Sequence, residues 1–481
     1  MNPPGIDLRP WLAEALGRQL RSDYPGALLL YRRILSRDPD HADAWCNLGF
    51  VLRELGQAEP AQEACQRALA LAPGNPIVHC NLGLLAQDRA DLEGALRHYR
   101  RALALDPEHV PALSCLAAVL GRLGRLDEAL AADERALALE PDRAELHLNR
   151  GYTRMRSGHL AEAEADLSRA LALEPNLPRA TWNLAYLRLL QNRHREAWPD
   201  FGARLQVPEA RNNLREYPQP RWRGQPFPGQ TLLVWVEQGL GDTLQFVRYL
   251  PRVKALGGRV LFQTYDALLG LLGDIPGADQ VLGEHGQPPA FDLQVPLLDL
   301  PALFQSTPQD LPADVPYLAT PQGYRPPAEL ARLLALAGPH RVALAWAGSP
   351  AHADDARRSL DPALLSPLAT LPGIQWLSLQ VGPRALPPLP GLVQLGGHLP
   401  DFRATAWALE QCDLLITVDT AIVHLAGAMG VPALLLLPFF PDWRWAMTGA
   451  ATPWYPTLRI YRQPAPGDWP AVIAQLRADL S

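Results

Sequence analysis

Lysine is almost absent from this sequence. Lys254 is its single lysine among 44 basic residues. An anionic ligand must therefore be held by arginine, by histidine or by backbone N–H groups. Arginine suits that work because its planar guanidinium grips a phosphate at two points. The net charge of −6 at pH 7 argues against a general nucleic-acid binder, and we expect no nucleic-acid partner.

Long apolar runs are missing as well. The most apolar stretch, LAGAMGVPALLLLPFF (residues 425–440), is too short and too interrupted by glycine and proline to span a bilayer. The N-terminus shows no basic start followed by an apolar core, so we expect neither a signal peptide nor a transmembrane segment.

Cysteine is scarce, with five residues in the whole chain. Four lie inside helical patterns and one precedes a strand pattern: Cys46, Cys65, Cys80, Cys115 and, before the strand, Cys412. Their spacing is not that of metal ligands. We therefore expect buried reduced thiols, no metal site and a cytoplasmic location.

The first part of the chain is an internal repeat with a period of 34 residues. Proline and alanine recur with this step, at Pro39, Pro73, Pro107, Pro141 and Pro175, at Ala27, Ala61, Ala95, Ala129, Ala163 and Ala197, and at Ala68, Ala102, Ala136 and Ala170. This period is typical of tetratricopeptide helix pairs, in which small residues allow close helix crossing and proline follows the second helix. About six units, from about Leu8 to about Arg204, predict an all-α superhelical domain over residues 1–206.

Asparagine occupies one position in four of these repeats, at Asn47, Asn81, Asn149 and Asn183, and Cys115 interrupts the series. A side-chain amide both donates and accepts hydrogen bonds, so a row of amides can clamp the backbone of an extended peptide. The alternative is that asparagine is common at this position and bonds locally.

The second part has an α/β pattern. A Pro-rich connector is predicted over residues 207–230, and apolar strand patterns then alternate with helical ones: TLLVWV, RVLFQTY, RVALAWAG, GIQWLSLQ, DLLITVD and VPALLLLP. This alternation predicts parallel sheets with crossover helices. A break near residue 338 divides the region into two Rossmann-like lobes facing a cleft, residues 231–338 and residues 339–481.

Ligands of open parallel sheets bind beyond the carboxyl ends of the strands. Three strand-to-helix junctions meet this condition. The first follows TLLVWV, the second follows RVALAWAG, and the third follows DLLITVD, where a helix N-terminus suits a diphosphate. Their candidate residues are, in order, Gly239, Gly241, Asp242, Thr243 and Gln245; Gly348, Ser349, Arg357 and Arg358; and Asp419, Thr420, Ala421 and His424.

Each of these signals has a plain structural alternative. Asp242, and likewise the Asp419–Thr420 pair, are typical helix caps. His424 is compatible with a packed histidine, and the Arg357–Arg358 pair with a solvated loop. Gln380, after WLSLQ, either reaches a nucleoside or has a structural role at the strand end. PDWRW (residues 441–445) would form an interface patch if its tryptophans were exposed.

The blocks EQGLGDTLQF, WAGSPAHADDARRSL, DLLITVDTAIVHLAGAMGVP and PDWRWAMTGAATPWYP resemble bacterial tetratricopeptide-repeat glycosyltransferases. The catalytic part of that group is similar to ADP-heptose:lipopolysaccharide heptosyltransferases, and the architecture resembles O-GlcNAc transferases. The resemblance implies a GT-B fold of two Rossmann-like lobes, inverting and metal-independent transfer without a cofactor, and a nucleotide held mainly by the C-terminal lobe.

The resemblance also implies roles for individual residues. Asp242 matches the general base toward the acceptor hydroxyl. Gly348 matches a donor-side loop, and Asp419, Thr420, Ala421 and His424 match the block that receives the donor phosphates. Two positions depart from the pattern, because Arg357 and Arg358 stand where a lysine is common and Ala421 stands where glycine or serine is frequent. The departures leave the donor open.

We therefore expect a glycosyltransferase that moves a sugar from a nucleotide-sugar donor to a protein acceptor held by the repeats. The resemblance makes flagellin or another surface protein a plausible acceptor. One alternative is transfer to a lipopolysaccharide or another glycan. A further alternative, from a different class, is a non-catalytic scaffold whose transferase region is degenerate.

Overall fold

The computed structural model describes residues 7–207, 214–312, 314–350 and 355–481. Residues 208–213 of the predicted connector and residues 351–354 after the second junction lie outside the described residues. The chain divides into two compact units, Met1–Leu177 and Pro178–Ser481. Within the described ranges, every helix is too short or too polar to cross a lipid bilayer.

The first unit is built from helices that pack in consecutive pairs. The repeated alanines explain this packing, because Ala27, Ala61 and Ala95 are fully buried where the two helices of a pair meet. The repeated prolines follow the second helix of each pair, four residues beyond it for Pro39 and two residues beyond it for Pro73, Pro107, Pro141 and Pro175. The described helices are α1 (Arg9–Leu20), α2 (Tyr24–Leu35), α3 (Ala42–Glu54), α4 (Ala58–Leu71), α5 (Pro76–Asp88), α6 (Leu92–Leu105), α7 (Val110–Arg122), α8 (Leu126–Leu139), α9 (Ala144–Arg156) and α10 (Leu160–Leu173).

The cysteines are free thiols in differing surroundings. Cys46, Cys65 and Cys80 are buried, as expected, and burial raises the pKa of each thiol to about 12. The expectation of burial is wrong for Cys115 and Cys412, which are half-buried.

The second unit begins with two helices and a 3₁₀ segment (Trp198–Leu205) and continues as an α/β region. Its helices are α11 (Pro178–Leu190), α12 (His194–Ala197), α13 (Leu240–Phe246), α14 (Leu250–Lys254), α15 (Asp266–Leu272), α16 (Leu300–Leu303), α17 (Ala328–Leu336), α18 (Asp355–Arg358), α19 (Phe402–Glu410), α20 (Ala421–Met429) and α21 (Trp469–Leu480).

Two parallel sheets organise this region. The first has the strand order β3-β2-β1-β4 and the second the order β10-β9-β8-β5-β6-β7, with every pairing parallel. The strands are β1 (Thr231–Trp235), β2 (Arg259–Gln263), β3 (Gln280–Leu282), β4 (Leu293–Pro296), β5 (Arg341–Ala345), β6 (Gln375–Ser378), β7 (Val393–Gln394), β8 (Leu414–Val418), β9 (Ala433–Leu437) and β10 (Leu458–Arg462).

The helix predicted after β1 is interrupted. It ends at Phe246, and a 3₁₀ turn (Val247–Tyr249) separates it from α14. Pro251 explains the restart, because proline lacks the N–H that a continuous helix needs and is tolerated in a first helical turn. As a result α13 is only seven residues long.

The helices of the last predicted repeat belong to the second unit. The indole N–H of Trp198 donates to the Ser306 carbonyl at 2.7 Å, and the Trp198 and Phe201 rings each lie 6.2 Å from the Trp443 ring. This edge-to-face geometry is favourable for aromatic pairs. The repeat segment therefore shares a core with the α/β region.

A buried ion pair ties the same segment to the end of β1. Arg204 Nη2 donates to Glu237 Oε1 at 2.6 Å and to Asp299 Oδ1 at 2.7 Å, and the side chains of Arg204 and Glu237 are 3% and 1% exposed. Removing one member of a buried pair leaves an uncompensated charge, which is strongly destabilising.

These contacts predict where the chain can be divided. A fragment of residues 178–481 is expected to unfold cooperatively, whereas a fragment of residues 207–481 should aggregate or lack a melting transition. The shorter fragment leaves Glu237 without Arg204 and exposes the apolar surface around Trp443. Differential scanning calorimetry of the two fragments checks this, and equal stability would contradict it.

Asp133 is a buried carboxyl group in the first unit. It is 1% exposed and accepts one hydrogen bond, from Thr153 Oγ1 at 2.8 Å. Burial raises its pKa to about 7, against the Thr153 hydrogen bond and the charge of Arg150, while Asp166 and Glu134 add to the rise. The folded protein therefore holds a proton that the unfolded chain releases from about pH 4.

Because folding raises the pKa of Asp133, this residue lowers the free energy of unfolding progressively as pH rises from about 4 to about 7. Above that range its destabilising effect is constant. Asp133→Asn keeps an acceptor for Thr153 and should gain stability over the unmutated chain across this window. Urea unfolding of the full chain, followed by far-UV circular dichroism, measures the difference. Asp142→Asn, at a side chain 78% exposed, is the control. A difference that does not vary with pH would contradict the prediction.

Candidate functional site at the meeting of two helix N-termini

Helices α13 and α20 touch where each of them begins. A Cβ atom added to Gly241 would lie 2.7 Å from His424 Cδ2 and 3.4 Å from Ala421 Cα. Helix α13 follows β1 of the first sheet and α20 follows β8 of the second, so the contact brings the first and third predicted junctions together. Gly241 serves here for close helix approach.

Asp242 lies at this contact and is held at both oxygens. Its Oδ2 accepts the Gly239 N–H at 2.8 Å, and its Oδ1 accepts a hydrogen bond from Arg444 Nη2. The side chain is 20% exposed. Burial raises the pKa of the carboxyl group, and the Arg444 charge acts against that rise. Asp242 therefore does cap α13, as the structural alternative expected, and its carboxylate also lies within the candidate site.

Arg444 is a central residue of the site that the sequence did not single out. Its Nε donates to Gln245 Oε1 at 2.6 Å and its Nη1 to Asp442 Oδ1 at 2.8 Å, and its side chain is 8% exposed. Burial favours the neutral guanidine, but the charges of Asp242 and Asp442 outweigh it and raise the pKa of Arg444. Gln245, predicted in the cleft, is fully buried; Thr243, predicted with it, is 1% exposed and donates to the Gly239 carbonyl at 3.3 Å.

Asp419 and Thr420 stand between β8 and α20. Thr420 is the N-cap residue, but its side chain makes no capping hydrogen bond, so its hydroxyl does not have the capping role that was one alternative. Asp419 is 16% exposed, and its Oδ1 lies 4.0 Å from His424 Nε2. Burial, reinforced by Asp442, raises the pKa of Asp419.

His424 is a packed histidine that also faces the site. It is 6% exposed, its Nδ1 lies 3.0 Å from the Tyr455 hydroxyl, and its ring stacks on Trp445 at 5.4 Å. Burial and the neighbouring Arg444 lower its pKa, so the imidazole is neutral at pH 7. Trp443 and Trp445 are 4% and 1% exposed, so the idea of an exposed tryptophan patch is wrong.

The second junction is the loop after β5, and arginines of helix α18 and of the segment after β6 lie next to it. Arg357 and Arg358 are on α18, so the alternative of a solvated loop is wrong for this pair. The Gly348 N–H donates to Ser359 Oγ at 3.0 Å, and Arg384 Nη2 donates to the Gly348 carbonyl at 2.9 Å and to Asp355 Oδ2 at 2.8 Å. A Cβ atom on Gly348 would lie 2.7 Å from Arg358 Nη2, so the Arg358 guanidinium packs directly against this glycine. Sequence reasoning missed Arg384, because nothing local marks it.

Arg358 links this loop to the third junction. Burial dominates the pKa of both Asp419 and His424, and the charge of Arg358 acts to lower both, which places positive potential at the start of α20. Arg358 Nε is buried without a hydrogen-bond partner among the described residues. Arg357 is half-buried and Ser349 is exposed.

Gln380 has the structural role that was one of its two alternatives. Its Oε1 accepts the N–H groups of Trp346 and Ala347 at 3.0 and 2.9 Å, and its Nε2 donates to the carbonyls of Ala347 and Val381 at 3.1 Å. A glutamine amide has two donors and two lone pairs, and all four are used. Gln380 therefore fixes the loop after β5.

Two members of the asparagine series bond between repeats. Asn81 is 6% exposed, and its Nδ2 donates to the Cys46 carbonyl at 3.0 Å; Asn149 Nδ2 donates to Ser114 Oγ at 3.0 Å. Both bonds span 35 residues and join neighbouring repeats, so for these two amides they are neither a helix cap nor local bonding. Asn47 and Asn183 are half-buried, and the peptide clamp stays a prediction.

One cluster with metal-binding side chains occurs among the described residues. Asp266, Glu284 and His285 place ligand atoms within 4.8 Å of one another, and Asp266 and His285 are exposed. The Glu284 N–H donates to Asp266 Oδ1 at 3.1 Å, so loop hydrogen bonds account for the grouping without an ion.

Comparisons with known proteins agree with the repeat assignment. Tetratricopeptide-repeat family models match residues 20–87, 76–109, 98–131 and 144–177, so the N-terminal region is a tetratricopeptide-repeat region. Protein FlbA of Caulobacter vibrioides is 25% identical over 319 residues, which cover 59% of this chain and 52% of that protein. The chain thus matches about half the length of this curated relative.

Several solved structures resemble part of the chain. PilF of Pseudomonas aeruginosa is 25% identical with a TM-score of 0.32, covering 35% of this chain and 77% of its own. A thermophilic tetratricopeptide protein of Thermus thermophilus is 25% identical with a TM-score of 0.35, covering 38% of this chain and 99% of its own. A chain of the Cut9–Hcn1 complex is 18% identical with a TM-score of 0.40, covering 42% of this chain and 40% of its own.

The contact of α13 with α20 makes a direct prediction about two glycines. Gly241→Ala places a methyl group against the packed His424 ring, and overpacking of this kind typically costs about 1–3 kcal/mol. Gly239→Ala is the matched control, because its Cβ atom would meet only Asp242 Oδ2 at 3.3 Å. Thermal unfolding should show a clearly lower melting temperature for Gly241→Ala and little change for Gly239→Ala. Equal losses would contradict the close contact.

Proposed function

We propose that this chain is an inverting, metal-independent glycosyltransferase of the GT-B type. In this proposal it moves a sugar from a nucleotide-sugar donor to a serine or threonine hydroxyl of a protein recruited by the repeats. The observation that carries the proposal is the meeting of α13 and α20, which gathers Asp242, Asp419 and His424 at the ends of strands from two parallel sheets.

The start of α20 has the properties that a donor diphosphate requires. A helix N-terminus presents free N–H groups and partial positive charge. Thr420 makes no side-chain capping bond there, and Arg358 adds a full positive charge. These groups would stabilise the charge that builds on the leaving diphosphate without a metal ion.

Asp242 is the group proposed to accept the proton of the attacking hydroxyl. A general base works best when its pKa lies near the working pH. Burial raises the pKa of Asp242 toward that range. His424 is neutral and is not needed as a charged partner, and its position beside Gly241 keeps the two helix starts together.

A non-catalytic scaffold is the second candidate, and one observation favours it. Both oxygens of Asp242 are engaged, by the Gly239 N–H and by Arg444. An acceptor hydroxyl would have to share or displace one of these bonds. In that case the repeats would supply the function through protein binding, a common role of their concave surfaces. Transfer to a glycan acceptor remains the alternative within the transferase class.

Nucleotide binding is the experiment that tests the proposal. Calorimetric titration of the full chain with ADP, UDP, GDP and CMP should show a preference for one nucleotide. Arg358→Gln should weaken that binding roughly tenfold or more, because a charged hydrogen bond is worth about 1.5–3 kcal/mol. Arg459→Gln is the matched control, since this arginine is 53% exposed and paired with Asp479. Absence of binding by all four nucleotides would refute the transferase.

Asp242→Asn separates the two candidates once a nucleotide is known. In a transferase this variant keeps nucleotide affinity but loses turnover of the corresponding nucleotide-sugar, measured as release of the nucleoside diphosphate. In a scaffold neither the unmutated chain nor the variant turns the donor over. Equal turnover by the unmutated chain and by Asp242→Asn would show that Asp242 takes no part in the reaction.

A further inference from the structure

Arg444 is a buried cation that bridges two elements of the candidate site. It bonds Asp242 and Gln245 on α13, and Asp442 within its own segment, Pro441–Trp445. A guanidinium presents its donors in a rigid planar fork. The position of this one group therefore fixes the orientation of the Asp242 carboxylate relative to the Pro441–Trp445 segment.

The segment that carries Arg444 is held by the last repeat. The Tyr186 hydroxyl donates to the Pro441 carbonyl at 3.4 Å, and the Tyr186 ring lies 6.2 Å from that of Phe440. Trp443, the immediate neighbour of Arg444, packs edge-to-face against the rings of Trp198, Phe201 and His194. The aromatic side chains of residues 186–201 thus form the surface on which the Pro441–Trp445 segment rests.

We propose that Arg444 is the positioning residue for Asp242 and that the last repeat, through Trp443, holds Arg444 in place. This inference rests on the proposed role of Asp242 as the base. It gives the repeats a second task besides recruiting an acceptor, because a displacement of residues 186–201 would move Trp443 and release the carboxylate. The chemistry at α13 would then depend on the state of the last repeat.

Several charged or titratable groups lie around Asp242, and each can contribute to the pH dependence of stability. Arg444 and Asp442 come from the Pro441–Trp445 segment, and Glu237 precedes α13 on its own chain segment. Asp419 and His424 come from the start of α20, and the Tyr265 hydroxyl donates to the Gln238 carbonyl nearby. Among these described groups, Arg444 is the cation in direct contact with Asp242.

A double-mutant cycle between Asp242 and Arg444 tests the inference. Arg444→Met leaves a buried carboxylate without its cation, so its pKa rises further above that of the unfolded chain. The variant should therefore lose stability relative to the unmutated chain as pH rises from about 4 toward neutral. Asp242→Asn in the same chain should restore the part of this loss that comes from Asp242 at neutral pH, while the part from Asp442, which also loses its partner, should persist. We expect a coupling of about tenfold or more in the unfolding equilibrium, measured by urea titration.

Arg341→Met is the matched control for the cycle. This arginine is the first residue of β5, and its side chain donates to the backbone carbonyls of Gly338, Gln411 and Ala337 at 3.2, 3.4 and 3.3 Å. It should show no coupling to Asp242→Asn. A loss in Arg444→Met that is independent of pH and not rescued would show that Arg444 acts by packing alone, which would overturn the proposal. If Arg444→Met does not fold, Arg444→Lys replaces it and should show a smaller coupling of the same sign.

The part played by the repeat is tested in the same way. In a Trp443→Leu background, where the contacts with Trp198 and Phe201 are lost, the coupling between Asp242 and Arg444 should fall severalfold. If the coupling between Asp242 and Arg444 is unchanged in this background, the last repeat does not hold Arg444 in place. Because the cycle uses no ligand, its failure leaves the transferase proposal standing, whereas absence of nucleotide binding refutes the transferase and leaves the cycle unaffected.

Discussion

A single buried positive charge constrains the candidate site. Moving a charged group out of water costs several kcal/mol unless partners compensate it, and Arg444 is compensated by carboxylates on both sides of its guanidinium. Asp242 and Asp442 must therefore stay where they are for the region to remain folded. The close contact at Gly241 and the stacking of His424 on Trp445 are packed around the same point.

Much of the fold was predictable because its signals are local. The period of 34 residues places small and proline residues where the helix pairs require them, and the apolar strands β1, β2, β5, β6, β8 and β9 were all expected. The sequence did not indicate β3, β4, β7 and β10. Strands β3 and β7 are three and two residues long, so periodicity cannot mark them, and β10 (LRIYR) alternates with charged residues.

Only those site residues that follow the carboxyl end of a strand were predictable from the sequence. Strand ends led to Asp242 and Asp419, because parallel strands place their carboxyl ends at one edge. Arg444 lies 202 residues from Asp242, and no local pattern reports such a pairing. Gln380 shows that a position after a strand does not by itself identify a ligand-binding residue, because such a position suits a ligand or a loop equally well. Only its four hydrogen bonds to the backbone show that its role is structural.

The boundary after Leu177 falls within the repeat array, between its fifth and sixth predicted units. Repeats interact mainly with their immediate neighbours, so whole units upstream of this point can be gained or lost without disturbing the aromatic residues around Trp443. The sixth unit cannot be lost in this way, because its Trp198 and Phe201 rings contact Trp443. The number of repeats upstream of Leu177 is therefore not fixed by the contacts that surround Trp443.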